Sequence, residues 1–279
     1  MKYILILTTA VFWLTGSMFG TGGFSGNVLF ADEPGYTDTP FLPDSKWRVH
    51  DQTRPQPPKV VPGTGDLGST PPSDAVLLFD GTSLKHWKPA KKGTAGDDKI
   101  ADGVLDILQT GTLQTKAEFG DYQLHLEWRS PPEEAGKSDR MTWGNSGIFL
   151  MGLFEIQIIE SHDSYIYADG NAGAVYGQYP PLVNPARKPG EWQSFDIFFT
   201  APKWADGKQT QPAHVTTLYN GVLVQNNVPI LGMTKHKALP GKYPVNKSTG
   251  PVLLQEHHSA VKFRNIWIRP LETPPAAAH

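Results

Sequence analysis

Glu155 and Gln157 stand two residues apart in FEIQIIES (154–161), interleaved with Phe154, Ile156 and Ile158. Strand side chains alternate with a period of two, so the carboxylate and the amide share one face and the apolar residues the other. Such a pair is either the wet outer face of an antiparallel sheet or the lining of a cleft that binds sugar hydroxyls. The same alternation in YQLHLEWR (122–129) sets Gln123, His125, Glu127 and Arg129 opposite Leu124, Leu126 and Trp128. In PVLLQEH (251–257) and the following His258, Leu253, Gln255 and His257 share a face, opposite Leu254, Glu256 and His258. In VKFRNIWIRP (261–270), Lys262 and Arg264 lie opposite Phe263, Asn265 and Trp267.

If these faces belong to one curved sheet, they form a concave surface dense in hydrogen-bonding groups. Trp143, Tyr176, Tyr179 and Trp192 are candidate aromatic platforms for sugar rings. Each residue also has a plainer role: Glu127 and Arg129 as an exposed pair of small energetic value, His257-His258 as an exposed loop, and Trp192 or Trp267 as core. The titratable Glu155 and His257 are the acid–base candidates. Glu127 with Glu155 would make the carboxylate pair of a conventional glycosidase. A non-catalytic sugar-binding module needs only amides and aromatics, so the titratable groups favour an enzyme over that alternative.

No cofactor is expected. The sequence has no cysteine, which removes disulfides, thiolate metal sites and an acylated-cysteine anchor. Neither an HExxH nor an EF-hand pattern occurs, and adjacent Glu256, His257 and His258 would point to alternating faces, so no metal site is indicated. Calcium held by carboxylates and carbonyls stays open without a pattern in its favour. A GxSxG elbow, a Walker loop and a Rossmann glycine pattern are also absent. The net charge of −2 argues against a nucleic-acid partner.

The elements that must position these residues are short. From about residue 75 onward, β-rich runs alternate with turn residues, and no long stretch carries a 3.6-residue apolar period. Asn220-Gly221 predicts a two-residue hairpin, because Asn-Gly readily supplies the positive φ angles of a type I′ turn. Parallel strands would need crossover helices that the sequence lacks. The expected fold is all-β, a two-sheet antiparallel β-sandwich or jelly roll.

MKYILILTTAVFWLTGSMFG reads as a signal peptide: a Lys precedes an apolar run too short to span a bilayer. Residues 1–31 are the expected leader, cut after Ala31 or, alternatively, near Gly20, which predicts a secreted or periplasmic protein without a membrane span. The Pro-rich stretch 32–74 predicts an extended arm instead of a second domain, docking in part through Trp47, Val49, Val60 and Val61. The sandwich then covers 75–271, with a tail at 272–279. Oligomeric state is not legible.

LFDG (78–81) with LKHW (84–87), then WGNSGIFLMGLFEIQIIES (143–161), GAVYGQYPP (173–181), GEWQSFDIFF (190–199), NGVLVQNN (220–227) and LLQEHHSAVKFRNIWIRP (253–270) together resemble the 3-keto-disaccharide hydrolase domain family, in that family's order. The resemblance implies a concanavalin-A-like jelly roll and cleavage of glycosides whose glucose ring is oxidised at C3, with a carbohydrate as the partner. It points to Asn145, Ser146, Glu155, Gln157, Gln178, Gln255, His257, Arg264 and Asn265 as site residues; Glu127 and Arg129 join them as substrate-binding candidates from strand parity, and Trp192 as an aromatic platform. The sequence departs from the family at 256–258: Glu-His-His replaces the common Asp-His-Gly, which puts the loop around His257 in question.

Overall fold

Turn residues cut the chain into fifteen short strands among the described residues of the computed structural model, which are 34–63, 67–91, 96–132, 142–163 and 166–271. The expected leader (1–31) and tail (272–279) lie outside these. In chain order the strands are β1 (Val76–Phe79), β2 (Trp87–Pro89), β3 (Ile100–Ala101), β4 (Val104–Asp106), β5 (Leu113–Thr115), β6 (Tyr122–Arg129), β7 (Ser146–Leu150), β8 (Phe154–Ile158), β9 (Gln193–Thr200), β10 (Lys203–Ala205), β11 (Lys208–Gln211), β12 (His214–Tyr219), β13 (Val222–Pro229), β14 (Leu253–Leu254) and β15 (Lys262–Pro270). One α-turn, Ile107–Thr110, and short 3₁₀ turns are the helical content among the described residues.

Two antiparallel sheets hold the core. The larger has the order β13-β12-β9-β6-β15-β4-β3, with β1 also on β15; the smaller has the order β2-β5-β14-β7-β8. The β10–β11 ribbon stands apart. The expected all-β sandwich is the architecture. Leu124, Leu126 and Trp128 from β6 and Phe195, Ile197 and Phe199 from β9 meet Phe154, Ile156 and Ile158 from β8, all buried. Asn220 (φ 52°) and Gly221 (φ 78°) form the β12–β13 hairpin, whose flanking Tyr219 and Val222 pair directly. Both φ angles are positive, as a type I′ turn requires.

Strand parity holds on β6, β8 and β14 and fails on β15. There the register against β6 shifts between Arg264 and Trp267, and Asn265 adopts φ 46°. A bulge adds one residue to one strand, so every side chain beyond it changes face. Asn265 therefore joins Arg264 beside Glu127, Ile266 and Ile268 turn inward, and Trp267 lies on the outer face, stacked on His125 at 5.2 Å.

The segment before the sandwich is not extended. Residues 36–52 double back: the Tyr36 N–H donates to the His50 carbonyl (2.8 Å), the Leu42 N–H to Trp47 (3.0 Å) and the Val49 N–H to Pro40 (3.0 Å). Val49 is fully buried and Trp47 half-buried, while Val61 stays exposed. Side-chain bonds from Arg54 to the Gln178 carbonyl and from Gln56 to Ile166 pin this lobe to the 166–179 loop.

Candidate active site

The outer face of the smaller sheet is built around a missing side chain. Gly147 on β7 pairs with Gln157 on β8, and its carbonyl accepts the Gln255 N–H at 2.9 Å. A Cβ at Gly147 would overlap the Glu155 carboxyl, so the glycine opens the floor on which that carboxyl rests. Glu155, Gln157, Gln255, Asn145 and His257 thereby reach one cavity of about 580 Å³, together with Phe149, Tyr36, Tyr167, Tyr176, Thr234, Lys235 and His236.

The outer edge of β8 recruits the rest of the wall. Its backbone bonds to the loop 173–176 (Gln157 N–H to Ala174, Gly173 N–H to Gln157, Tyr176 N–H to Glu155), and the Glu155 N–H donates to Thr234 Oγ at 2.9 Å. A free strand edge offers a row of unpaired backbone groups. Here those bonds hold Tyr176 and residues 234–236 over the carboxylate.

Glu155 is 5 % exposed, and burial pushes its carboxyl up to about 8. The side-chain carbonyls of Gln157 and Gln255 are buried without a partner among the described residues, and both residues line the cavity, which leaves two acceptors for a ligand's donors. On the wall, the Tyr167 and Tyr176 hydroxyls lie 2.6 Å apart, and Tyr176 Oη is 2.9 Å from His236 Nδ1. Burial raises both phenols above their ordinary range and lowers His236. At neutral pH the wall is thus a chain of proton donors ending on a neutral imidazole. His257 meets Asn145 Nδ2 at 3.4 Å at the exposed rim. His258 takes a left-handed φ of 59°, and Glu256 Oε1 accepts its N–H.

The remaining candidates fall elsewhere. Gln178 is a brace: its amide donates to the Gly232 carbonyl (3.1 Å) and accepts the Leu231 N–H (2.7 Å). Ser146 Oγ donates to the Gln255 carbonyl at 2.6 Å. Glu127, Arg129, Arg264 and Asn265 lie on the larger sheet, on its face turned away from the core, because β6 and β9 present Leu126, Trp128 and Phe195 inward, and Trp192, just before β9, packs beneath the two arginines. The expected single concave surface is therefore two outer faces with the hydrophobic core between them. A Glu127–Glu155 glycosidase pair is excluded by the same geometry, since a shared glycosidic bond must sit between both carboxyls.

That second face has its own use. Glu127 accepts the Gly68 N–H (2.6 Å), Asn265 Nδ2 (2.9 Å) and Arg264 Nε (2.7 Å), and faces His125 Nε2 at 3.9 Å. Burial pushes its carboxyl up, but His125, Asn265, Gly68 and Arg264 outweigh this and hold it at about 2. Burial likewise lowers His125, and Asp196 (2.8 Å) with Glu127 overrides it, holding the ring at about 9. Arg129 and Arg264 lie over Trp192. The network fastens residues 68–69 to the sheet, with Asn265 also donating to the Ser69 carbonyl.

Sequence reasoning missed Tyr36, Tyr167, Thr234, Lys235 and His236, and knew Tyr176 only as a platform. All lie in loops, where no periodicity marks which way a side chain faces. Among the described residues no group of three or more His, Asp or Glu side chains is disposed to hold a metal ion, and no helix is long and apolar enough to cross a membrane.

The sandwich and its polar, amide-lined cavity define a carbohydrate-active domain of glycosyl-hydrolase type. A family model for the 3-keto-alpha-glucoside-1,2-lyase-like domain matches residues 74–269, and the chain belongs to that family. A crystal structure from Parabacteroides distasonis ATCC 8503, provisionally assigned as a glycosyl hydrolase, is 40% identical at a TM-score of 0.66, covering 78% of this chain and 93% of its own. A second structure with the same provisional assignment and source is 22% identical at a TM-score of 0.49, covering 71% and 94%. None of the curated proteins matches.

Proposed function

We propose that the protein cleaves 3-keto-glycosides by removing the proton on C2. The carrying observation is Glu155: a carboxyl that burial alone shifts among the described residues, set beneath a cavity of about 580 Å³ lined by polar groups. Burial makes it a stronger base than a solvated carboxylate once ionised. A ketone at C3 acidifies the C2 proton. As the C2–H bond breaks toward Glu155, an enolate forms; the C1–O bond then breaks, C1=C2 forms and the aglycone leaves with the bonding pair. Water adding across C1=C2, hydroxyl to C1 and proton to C2, turns the elimination into a net hydrolysis.

The other lining residues supply what this chemistry needs. Asn145, Gln157 and Lys235 bring N–H donors for the enolate oxygen. The Tyr167–Tyr176–His236 chain supplies the proton for the departing oxygen. His257 at the rim is the second acid–base candidate. Membership in the family supports the 3-keto substrate class. Export through the leader at 1–31 belongs to the same proposal, and the N-terminal mass of protein recovered outside the cytoplasm tests it.

The experiment is a panel of 3-keto-glycosides and their unoxidised parents. Cleavage confined to the keto series, slowed by deuterium at C2, is the expected result. Equal cleavage of both series would point to conventional glycoside hydrolysis, and binding without cleavage to a sugar-binding module.

A further inference from the structure

The matched family domain begins at residue 74, yet the cavity takes part of its wall from before it. Tyr36 lines the cavity directly. Behind the wall lies His50, fully buried, with φ 55°. A non-glycine residue in that region is strained and persists only where its surroundings over-determine it. Here Asp169 does so, taking the His50 backbone N–H on Oδ2 (3.0 Å) and ring Nδ1 on Oδ1 (3.0 Å). Asp169 is itself fully buried, with Arg54 at 3.7 Å. From the other side Gly177 (φ +71°) packs so closely that a Cβ would come within 3.2 Å of His50 Cε1.

Fastening a segment to a sandwich needs only apolar side chains, and Val49 next door already provides one. Burying a carboxylate, an imidazole and a guanidinium instead is costly. What the cost secures is a ring at a fixed place. The His50 imidazole lies 4.0 Å from the Tyr167 ring, 4.8 Å from Tyr176 and 5.2 Å from His236, the three members of the donor chain. Its Nε2 has no partner among the described residues.

We propose that the His50–Asp169 pair, contributed in part by a segment outside the family domain, is a positioning device that holds the Tyr167–Tyr176–His236 chain as the acid for the leaving group. This rests on the function proposed above. His50 touches neither substrate nor reacting atoms; it sets where the hydroxyls and the imidazole stand. In the reaction the aglycone oxygen takes a proton from the chain as C1–O breaks, water reprotonates the chain, and the C2 proton on Glu155 returns to water.

The test uses the full-length chain carrying His50→Gln, with Asp169→Asn as a second variant that keeps size and an acceptor for the His50 N–H. Turnover is compared on 3-keto-glucosides with alkyl and with 4-nitrophenyl leaving groups. The nitrophenolate departs without a proton, so loss of acid assistance falls on the alkyl substrates, by about tenfold or more beyond the nitrophenyl loss. Equal losses on both, or a rise in KM alone, would reduce the pair to a structural anchor. An independent reading is the His236 imidazole titration by NMR. Besides burial, His50, Lys237 and His257 hold it down, with Tyr176 bonded to it and the Tyr36 ring on its edge. The midpoint should rise in His50→Gln, and an unchanged midpoint overturns the coupling. If the unaltered protein cleaves no 3-keto-glycoside, the functional reading fails while the titration still decides the coupling.

Discussion

Replacing Glu155 with Gln should destroy activity and stabilise the protein, and the stabilisation should grow with pH. The substitution keeps size and hydrogen-bonding capacity but removes the titration. In the folded protein burial raises the carboxyl from 4.5 to about 8. An unfolded chain ionises the same group near 4.5, so from that pH upward the unfolded state loses a proton that the folded state retains. Stability contributed by the protonated carboxyl is thus full below about 4.5 and is lost progressively as pH rises toward 8. With each pH unit worth about 1.36 kcal/mol, the whole interval costs the wild type about 4 to 5 kcal/mol, of which about 3 kcal/mol accrues between pH 5 and pH 8.

Every other titrating group is common to both proteins and cancels in the difference. The assay is thermal or denaturant unfolding of wild type and Glu155→Gln at pH 5, 6.5 and 8. For a chain of this size about 3 kcal/mol corresponds to roughly 6 to 12 °C in Tm, so the gap between the melting points should widen by about that much. Turnover on a 3-keto-glycoside should fall about a hundredfold or more in the same variant. A gap constant with pH would show that Glu155 is not a buried neutral acid. A saturating rate that survives the change, with only KM raised, would make it a sugar-hydroxyl ligand and not the base.

If Glu155 is the base, kcat/KM should rise with pH and level off above about 8, because only the ionised carboxylate accepts a proton; a profile flat from pH 6 to 9 would remove it from that role. Gly147→Ala should push the Glu155 carboxyl off its floor and lower turnover at least about tenfold with little loss of stability, since the clash is with the end of a flexible side chain; unaltered kinetics would show that the glycine is incidental. Glu127→Gln should cost about 3 kcal/mol or more by leaving Arg264 and His125 short of a buried partner, yet leave kcat nearly unchanged. A selective loss of kcat there would move the active site to the other sheet. His258→Gly should be neutral or stabilising by about 1 kcal/mol, because the residue already adopts a left-handed conformation; calorimetry would decide.

What was legible in the sequence followed from periodicity. FEIQIIES alternates over five strand residues without a break, so Glu155 and Gln157 landed on one face and Phe154, Ile156 and Ile158 in the core. The Asn220-Gly221 hairpin was legible because its chemistry is local. VKFRNIWIRP defeated the same rule through one residue: Asn265 bulges, and Trp267 changes face. Asn tolerates that conformation better than most residues, but the sequence also permits it a regular strand geometry. Parity further says nothing about which sheet a strand joins. Glu127 and Glu155 therefore looked like neighbours until β6 and β8 proved to belong to different sheets.

The cavity wall was the least legible part, for a reason that bears on its chemistry. A strand supplies side chains at fixed spacing and can set a floor such as Glu155, Gln157 and Gln255. It cannot reach over that floor. Groups that must approach a ligand from above come from loops, and a loop's position is set by what it packs against. Tyr176 owes its place to a backbone bond on the β8 edge, and both Tyr167 and Tyr176 pack against the His50 ring behind them. His50 in turn depends on Asp169, 119 positions away in sequence. Each of these links is a tertiary contact between residues that carry no shared local signal. On the mechanism proposed above, the separation also divides the labour: the sheet would fix the base, and a lobe that begins outside the matched domain would fix the acid. On that proposal, a sandwich of this kind would change its leaving-group preference by altering the lobe while keeping the strand residues proposed to take the proton.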